Sequence, residues 1–356
     1  MHDTPGGLLE GIRVLDFGIW RPVPYATQLL ADLGADVLKV EPPGGDPMRG
    51  FAGLYATISA HKRSVVLDLK TRGGLARALE LAAGADVVTE GFRPGVAERL
   101  GIGPEQIRVV NPDVVYLSLS GFGQDGPMRL APGHDLGYQA VAGTLAPEGD
   151  TPARPTIPWA DVAGGLVAAF AVCAALVRRL GHGDGEVIDV AMTDILATWT
   201  GAASGDHTAV PGKRLRGLPG YGVFRCADGW IALSGITEAH LWAATCDGLG
   251  LADLRDLPLL EQVERADELR ARIADACAPL SRADALARLG AAGAPVAPVH
   301  DRTAMLSDPH LRQRGTVLDG PDGAPALAHP VRYADHPARG PAPPAPLDAH
   351  HDATWR

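Results

Sequence analysis

Cysteine is scarce and scattered. Cys173, Cys226, Cys246 and Cys277 stand far apart in a chain of 356 residues, with no C-x-x-C and no Cys/His spacing of the zinc type. That gives no metal site and points to reduced thiols in a cytoplasmic protein. Positive charge is in deficit: 32 Lys and Arg against 42 Asp and Glu leave a net charge of −10. This argues against non-specific binding to nucleic acid or to an anionic membrane, while allowing a local basic pocket. Long apolar runs are missing too. The longest uncharged one, Val162 to Val177, falls short of the ~18 residues that suggest a membrane span and reads as a buried helix. The first residues carry Asp3 and Glu10 and no apolar core, unlike a signal peptide. There is no Gly-X-Y period and no solenoid repeat.

Glycine and proline are abundant. They number 44 and 30, well above average shares of roughly 7% and 5%, so much of the chain is loop and turn. Hydrophobic residues at 46% and charged ones at 21% are ordinary globular values, and a chain this long buries a large core without disulfides.

The first half alternates two patterns. Short β-type runs at 12–17, 35–40, 64–69, 86–90 and 114–119 are separated by helical patterns such as 25–33 and 74–83. That is the signature of βαβ units and a mostly parallel sheet, which binds ligands in the loops beyond the strands' carboxyl ends. Asp161 opens a long Ala-rich helix to about Leu180, followed by a strand at 187–190 and a helix at 191–200. A Gly/Pro/Arg loop at 211–222 marks a domain boundary. Beyond it, 222–226 and 230–233 flank Ala227-Asp228-Gly229 as a hairpin. Helical patterns run to about Leu289, 294–299 reads as the last strand, and the tail from Gly320 reads as extended surface chain.

Several residues invite a chemical reading. Gly121-Phe122-Gly123-Gln124-Asp125-Gly126 fits G-x-G-x-x-G after a strand. Pro127 and Pro132 follow it, so no helix N-terminus is on hand for a pyrophosphate, and it reads as an ordinary turn. His61-Lys62-Arg63, Lys70, Arg72, Arg93 and Arg99 form a basic cluster. It is either a solvated face or a patch for a phosphate-bearing ligand, and Lys70 and Arg93 directly follow strands, on the ligand side. His134 sits in Gly133-His134-Asp135-Leu136-Gly137-Tyr138 at the start of a helix, where free backbone N–H groups favour an anion. Asp161, between Trp159-Ala160 and a run of Val, Ala and Gly, is either a helix N-cap or a catalytic carboxylate raised by apolar surroundings.

Together these segments resemble the family III CoA-transferases (CaiB/BaiF) and, within them, the α-methylacyl-CoA racemases. The carriers are Leu29-Leu30-Ala31-Asp32-Leu33-Gly34-Ala35-Asp36-Val37, Lys62-Arg63-Ser64 with Leu67-Asp68-Leu69-Lys70, and Glu90-Gly91-Phe92-Arg93-Pro94-Gly95. Ser120 to Gly123, Gly133-His134-Asp135 with Tyr138, and Ala160-Asp161 with Gly164-Gly165 complete the set. The likeness runs from about Leu8 to Leu251 and more loosely to the end.

The resemblance implies an α/β fold: a large Rossmann-like domain with a parallel sheet, a smaller α+β domain, and two chains interlocked as rings in an obligate homodimer. It implies a large domain over 1–200 completed by the tail 325–356, linkers at 201–218 and 316–324, and a small domain over 219–315. The substrate is an acyl-CoA thioester, with CoA carried by the substrate and no prosthetic group. Matching the family's CoA-contacting segments are Leu67, Asp68, Leu69, Lys70, Gly91, Phe92, Arg93, Arg99, Gly133, Asp135, Leu136, Gly137 and Tyr138. Pro42 stands where racemases often carry an arginine, which leaves Lys39 or Arg49 to supply a phosphate contact.

The resemblance also narrows the chemistry. In transferases the residue matching Asp161 is the acylated nucleophile; in racemases it is one of two acid/base groups. Family transferases usually lack the histidine found at 134. Racemisation needs a base on one face of the α-carbon and an acid on the other. His134 serves the (S) epimer and Asp161 the (R) epimer by family analogy, with Trp159 and the apolar helix raising Asp161 and backbone N–H groups at 134–135 stabilising the enolate. Glu238 matches a racemase glutamate that orients the catalytic histidine across the dimer. Two other outcomes stay open: CoA transfer through Asp161, and a non-catalytic CoA-ester-binding protein.

Overall fold

A computed structural model describes residues 6–145, 155–203 and 218–355. The chain divides into two compact units, Met1–Ala203 with Pro309–Arg356, and Ser204–Asp308.

The first unit is built on β1 (Arg13–Asp16), α1 (Pro22–Asp32), β2 (Asp36–Glu41), α2 (Ala52–Ser59), β3 (Arg63–Val66), α3 (Arg72–Ala83) and β4 (Val87–Glu90). It continues with α4 (Val96–Leu100), α5 (Pro104–Val110), β5 (Val115–Ser120), α6 (Asp135–Val141), α7 (Trp159–His182), β6 (Val187–Ala191) and α8 (Met192–Ala203). All six strands pair parallel in the order β3-β2-β1-β4-β5-β6. Such a sheet is covered on both faces, and the alternation along each strand shows how. Val14, Val87, Val115 and Leu117 enter one core with α1, α7 and α8. Their neighbours Leu15, Val88, Val114 and Tyr116 enter the other, with α3 and α5. The order reverses between β1 and β4, and the crevice beyond the strands' carboxyl ends at such a switch point is where open α/β sheets place ligands.

Helix α7 is 24 residues long and presents small residues inward: Ala160, Ala163, Gly164, Gly165, Ala168 and Ala169 are buried. A Cβ on Gly165 would stand 2.7 Å from the Pro22 carbonyl oxygen and from the Tyr25 ring. The missing side chain therefore lets α7 lie directly on the start of α1, and fixes Asp161 one turn earlier on the same face. By length and composition α7 alone among the described helices could cross a membrane, and half of its most apolar window is buried within the protein.

The second unit holds β7 (Tyr221–Cys226), β8 (Gly229–Ser234), α9 (Ala239–Leu249), α10 (Leu259–Glu264), α11 (Ala266–Cys277), α12 (Arg282–Ala291), β9 (Val296–Pro298) and α13 (Arg302–Ser307). Its three strands form an antiparallel sheet in the order β7-β8-β9. Phe224, Ile231, Leu233, Trp242, Leu269, Ile273 and Leu289 close its core. The hairpin at Ala227-Asp228 lies where the sequence placed it.

The chain rejoins the first unit at Pro309, through α14 (Pro309–Gln313) and an antiparallel pair, β10 (Val317–Asp319) and β11 (Pro325–Leu327). That is earlier than the 316–324 linker of the sequence reading, and 294–299 is not the last strand. Most of the 201–218 linker falls outside the described residues. The tail runs mostly exposed along the first unit and is fastened to it. The Ser64 N–H donates to His350 Nδ1 (3.2 Å), the Val66 N–H to Asp348 Oδ1 (2.8 Å) and Arg63 Nη1 to the Thr354 carbonyl (2.8 Å). The tail thereby covers the open edge of β3, where unpaired strand groups would otherwise face water. β3 ends at Val66 and not at Leu69, because residues 67–70 turn away into α3.

Candidate active site

The loops beyond β1, β4 and β5 enclose a cavity of about 400 Å³ in the first unit. Gly91, Phe92, Arg93, Gly133, His134, Tyr138 and Asp161 line it together with Trp20, Arg21, Met48, Arg129 and Met192.

Tyr138 builds one wall. Its hydroxyl donates to the Gly133 carbonyl at 2.6 Å, and its ring meets Phe122 edge-on at 5.0 Å. A Cβ on Gly121 or Gly133 would stand 2.2 or 2.5 Å from that ring, so only glycine allows the ring to lodge between the two loops. His134 is the N-cap of α6 with extended backbone (φ −136°) and no side-chain cap, which leaves its exposed imidazole facing the cavity.

Asp161 is not the N-cap of its helix; that position is Pro158. The cap comes from α6: Asp135 Oδ1 accepts the backbone N–H of Ala160 (2.8 Å) and of Asp161 (3.2 Å), while its other oxygen accepts Gln139 Nε2 (2.6 Å). Asp161 is thus free for the cavity. Burial and then the nearby charge of Asp135 push its carboxyl up to about 6, against the opposing influence of Arg21 and His134. Val23, Leu119 and Met192 supply the apolar wall. Trp159, expected to do so, is 45% exposed.

The basic cluster separates into two groups. Lys70, Arg93 and Arg99 are exposed, and Arg93 lines the cavity. Lys62 and Arg63 are not part of a ligand patch, because both are buried. Lys62 Nζ donates to the Pro24 carbonyl (2.7 Å) and Thr27 Oγ1 (2.7 Å) and pairs with Asp16 (3.3 Å). Arg63 pairs with Asp36 at 2.8 Å. Lys39 and Arg49, considered as phosphate contacts, are likewise committed inside the protein, to Asp46 (2.8 Å) and Glu41 (2.6 Å). Lys39 is fully buried and Arg49 is half-buried, and each charge is held by its partner in place of a ligand.

Leu67, Asp68, Leu69 and Lys70 form the turn after β3. Leu67 and Leu69 pack with Phe92 on the second core, and Asp68 Oδ1 accepts the Lys70 N–H at 3.0 Å. Arg99 lies in α4, and Leu136 and Gly137 in the exposed first turn of α6. These residues are not among those lining the cavity. Glu238 belongs to the second unit, as N-cap of α9. Its Oε2 accepts the N–H groups of Thr237 (3.0 Å) and Ile236 (3.3 Å), and backbone N–H groups of its own loop hold the carboxyl below its ordinary range. Arg21, Arg129 and Met192 are cavity residues that the sequence reading did not single out. The only signal was their position in or beside loops beyond strand ends.

Known proteins resemble this chain along most of its length. The pattern of CoA-transferase family III matches residues 9–351. A probable fatty acyl-CoA transferase of Mycobacterium tuberculosis is 33% identical, covering 99% of this chain and 98% of its own. The human alpha-methylacyl-CoA racemase is 33% identical over 87% of this chain and 82% of its own. The crystal structure of a CaiB/BaiF family protein from Brucella suis superposes with a TM-score of 0.87 at 26% identity, over 98% of both chains. The chain is an enzyme of the CoA-transferase family III, a family whose members include both acyl-CoA racemases and CoA-transferases.

Proposed function

We propose that this enzyme epimerises the α-carbon of a 2-methylacyl-CoA by 1,1-proton transfer. The observation that carries the reading is that His134 and Asp161 line one cavity, with the Asp161 carboxyl raised to about 6. A carboxyl raised this far can hold a proton near neutral pH, so it can serve as acid as well as base. Neutral His134 with protonated Asp161 handles the (S) epimer; the Asp161 carboxylate with the His134 imidazolium handles the (R) epimer. Both states hold one proton between the two groups, so one ionisation form of the enzyme serves both directions.

In this reading the CoA moiety runs over the turns after β3 and β4 and the start of α6, with Lys70, Arg93 and Arg99 near its phosphates. Two chains associate through α7, whose outward face exposes Leu166, Phe170, Val177 and Leu180, an apolar stripe that suits a second copy. Glu238 of the partner subunit orients the His134 ring. The four free cysteines accord with a cytoplasmic enzyme. Light scattering tests the dimer: a Phe170→Asp variant that stays monomeric supports it, and a monomeric wild type contradicts it.

The second reading, CoA transfer, has its own support: Asp161 is a cavity carboxylate able to attack a thioester carbonyl, and a relative matched along nearly its whole length is named a transferase. His134→Ala separates the two. Under the racemase reading it binds acyl-CoA as the wild type does and loses α-proton exchange; under the transferase reading acceptor-dependent CoA transfer survives.

A further inference from the structure

A cation stands beside Asp161 that the proton transfer above does not use. Arg21 ends the loop beyond β1, lines the cavity, and holds Nη1 4.0 Å from Asp161 Oδ2. Its side chain is 25% exposed, and its Nε is buried with no hydrogen-bond partner. A separation of 4.0 Å is too long for a hydrogen bond, so Asp161 does not satisfy the guanidinium. The guanidinium therefore has donors left for an acceptor oxygen placed in the cavity to the side of Asp161.

The loop is held firmly. Asp16 Oδ1 accepts the Gly18 N–H at 2.7 Å, and Lys39 Nζ donates to the Gly18 carbonyl at 2.5 Å. Trp20 is fixed in the left-handed region at φ 65°. A tryptophan there is strained, and such strain persists only where the surroundings enforce it. Both lysine–carboxylate pairs under the loop, Asp16 with Lys62 and Lys39 with Asp46, are buried. Arg21 is therefore presented on a rigid support, as a group that must meet developing charge without rearranging needs to be.

We propose that Arg21 is a catalytic residue that donates to the thioester carbonyl oxygen of the substrate and holds the negative charge this oxygen gains during the reaction. The assignment rests on the racemase reading for the identity of the reacting atoms. When the Asp161 carboxylate takes the α-proton, the C–H electron pair becomes the second bond between the α-carbon and the carbonyl carbon. The carbonyl π pair moves onto oxygen. A proton delivered from the His134 imidazolium to the opposite face reverses both shifts. The oxygen is neutral in the bound substrate and anionic in between, so its attraction to a fixed guanidinium grows on the way to the transition state and raises kcat. The backbone N–H groups at 134–135 then share this task with a full positive charge.

Arg21→Met and Arg21→Lys test the assignment, with α-proton exchange as readout. Arg21→Met is expected to lose about 100-fold or more in kcat, as for removal of an oxyanion donor, with KM changed less than ~3-fold; Arg21→Lys keeps a larger share, and added guanidinium ion restores part of the rate of Arg21→Ala. Carbon-detected titration of the Asp161 carboxyl moves upward in Arg21→Met. A loss confined to KM overturns the proposal, as does a kcat within a few fold of the wild type. If the wild type transfers CoA without exchanging the α-proton, the racemase reading fails by itself. The same kcat test then applies to transfer, whose tetrahedral intermediate puts charge on the same oxygen, and unimpaired transfer by Arg21→Met overturns the role of Arg21. An Asp161 titration unmoved by Arg21→Met overturns it whatever the wild type catalyses.

Discussion

Asp135 and Asp161 are joined through the backbone and opposed through their charges. One oxygen of Asp135 accepts the Asp161 N–H at 3.2 Å and fastens the head of α7 to α6. Its negative charge then adds to burial in raising the Asp161 carboxyl. One side chain thus positions Asp161 and tunes it, and substitutions can separate the two effects. Asp135→Asn keeps an acceptor oxygen and drops the charge. We expect its fold stability to stay close to wild type while the acidic limb of the exchange-rate profile moves to lower pH. Asp135→Ala loses the cap as well and costs about 1 kcal/mol in urea unfolding. A limb that does not move would show that the charge of Asp135 does not reach Asp161.

Asp161 itself costs stability. Its carboxyl titrates at about 6 in the folded chain against an ordinary 3.8. The folded chain holds this proton longer than the unfolded one, so the cost is absent below about pH 4, grows through the interval and is complete above about pH 6, on the order of 3 kcal/mol. Asp161→Asn removes it. Urea unfolding is expected to find the variant equal to wild type near the acid end and more stable at neutral pH, with exchange abolished. A stability difference that stays constant across that range would mean the site does not strain this carboxyl.

The approach of α7 to α1 depends on Gly165. Gly165→Ala places a methyl group 2.7 Å from the Pro22 carbonyl oxygen, a backbone atom that cannot swing away. We expect a loss of about 1–3 kcal/mol in stability. Asp161, one turn earlier, shifts with the helix, so kcat falls more than the stability loss explains. Wild-type kcat in a destabilised Gly165→Ala would mean that Asp161 does not depend on this contact.

The sheet, its helices and the hairpin of the second unit were legible because their signals are local: apolar alternation, a 3.6-residue period and turn residues. The short helices α2, α4, α5, α13 and α14 were not, since five to eight residues carry little periodicity. His134 and Asp161 were legible as candidates through the motifs around them. Their shared cavity depends on the distant contact between Asp135 and the head of α7, which no local pattern announces. Lys62 and Arg63 show the opposite problem. A run of basic residues looks like a ligand patch until the fold reveals that Asp16 and Asp36 were waiting for them.

Lys62 should therefore matter for folding. It is buried against Asp16, and burial lowers its ammonium to about 8 despite that partner. Lys62→Met takes the ion pair from the buried Asp16 and leaves it the charge of Lys39 and the hydrogen bonds of Thr27 and Gly18, and we expect a loss of about 1–3 kcal/mol. Asp16→Asn combined with Lys62→Met recovers much of that loss. Thermal unfolding of the single and double variants measures the coupling, and simple additivity would contradict the pairing.

The central claim is that one proton shuttles between His134 and Asp161 across the α-carbon. Each pure epimer of a 2-methylacyl-CoA, incubated with the wild-type enzyme in deuterium oxide without any acceptor acid, tests it directly. The account predicts deuterium at the α-carbon and convergence on the same epimer mixture from both sides. No deuterium uptake, together with CoA transfer that requires an acceptor and a hydroxylamine-trappable acyl group on Asp161, would contradict it.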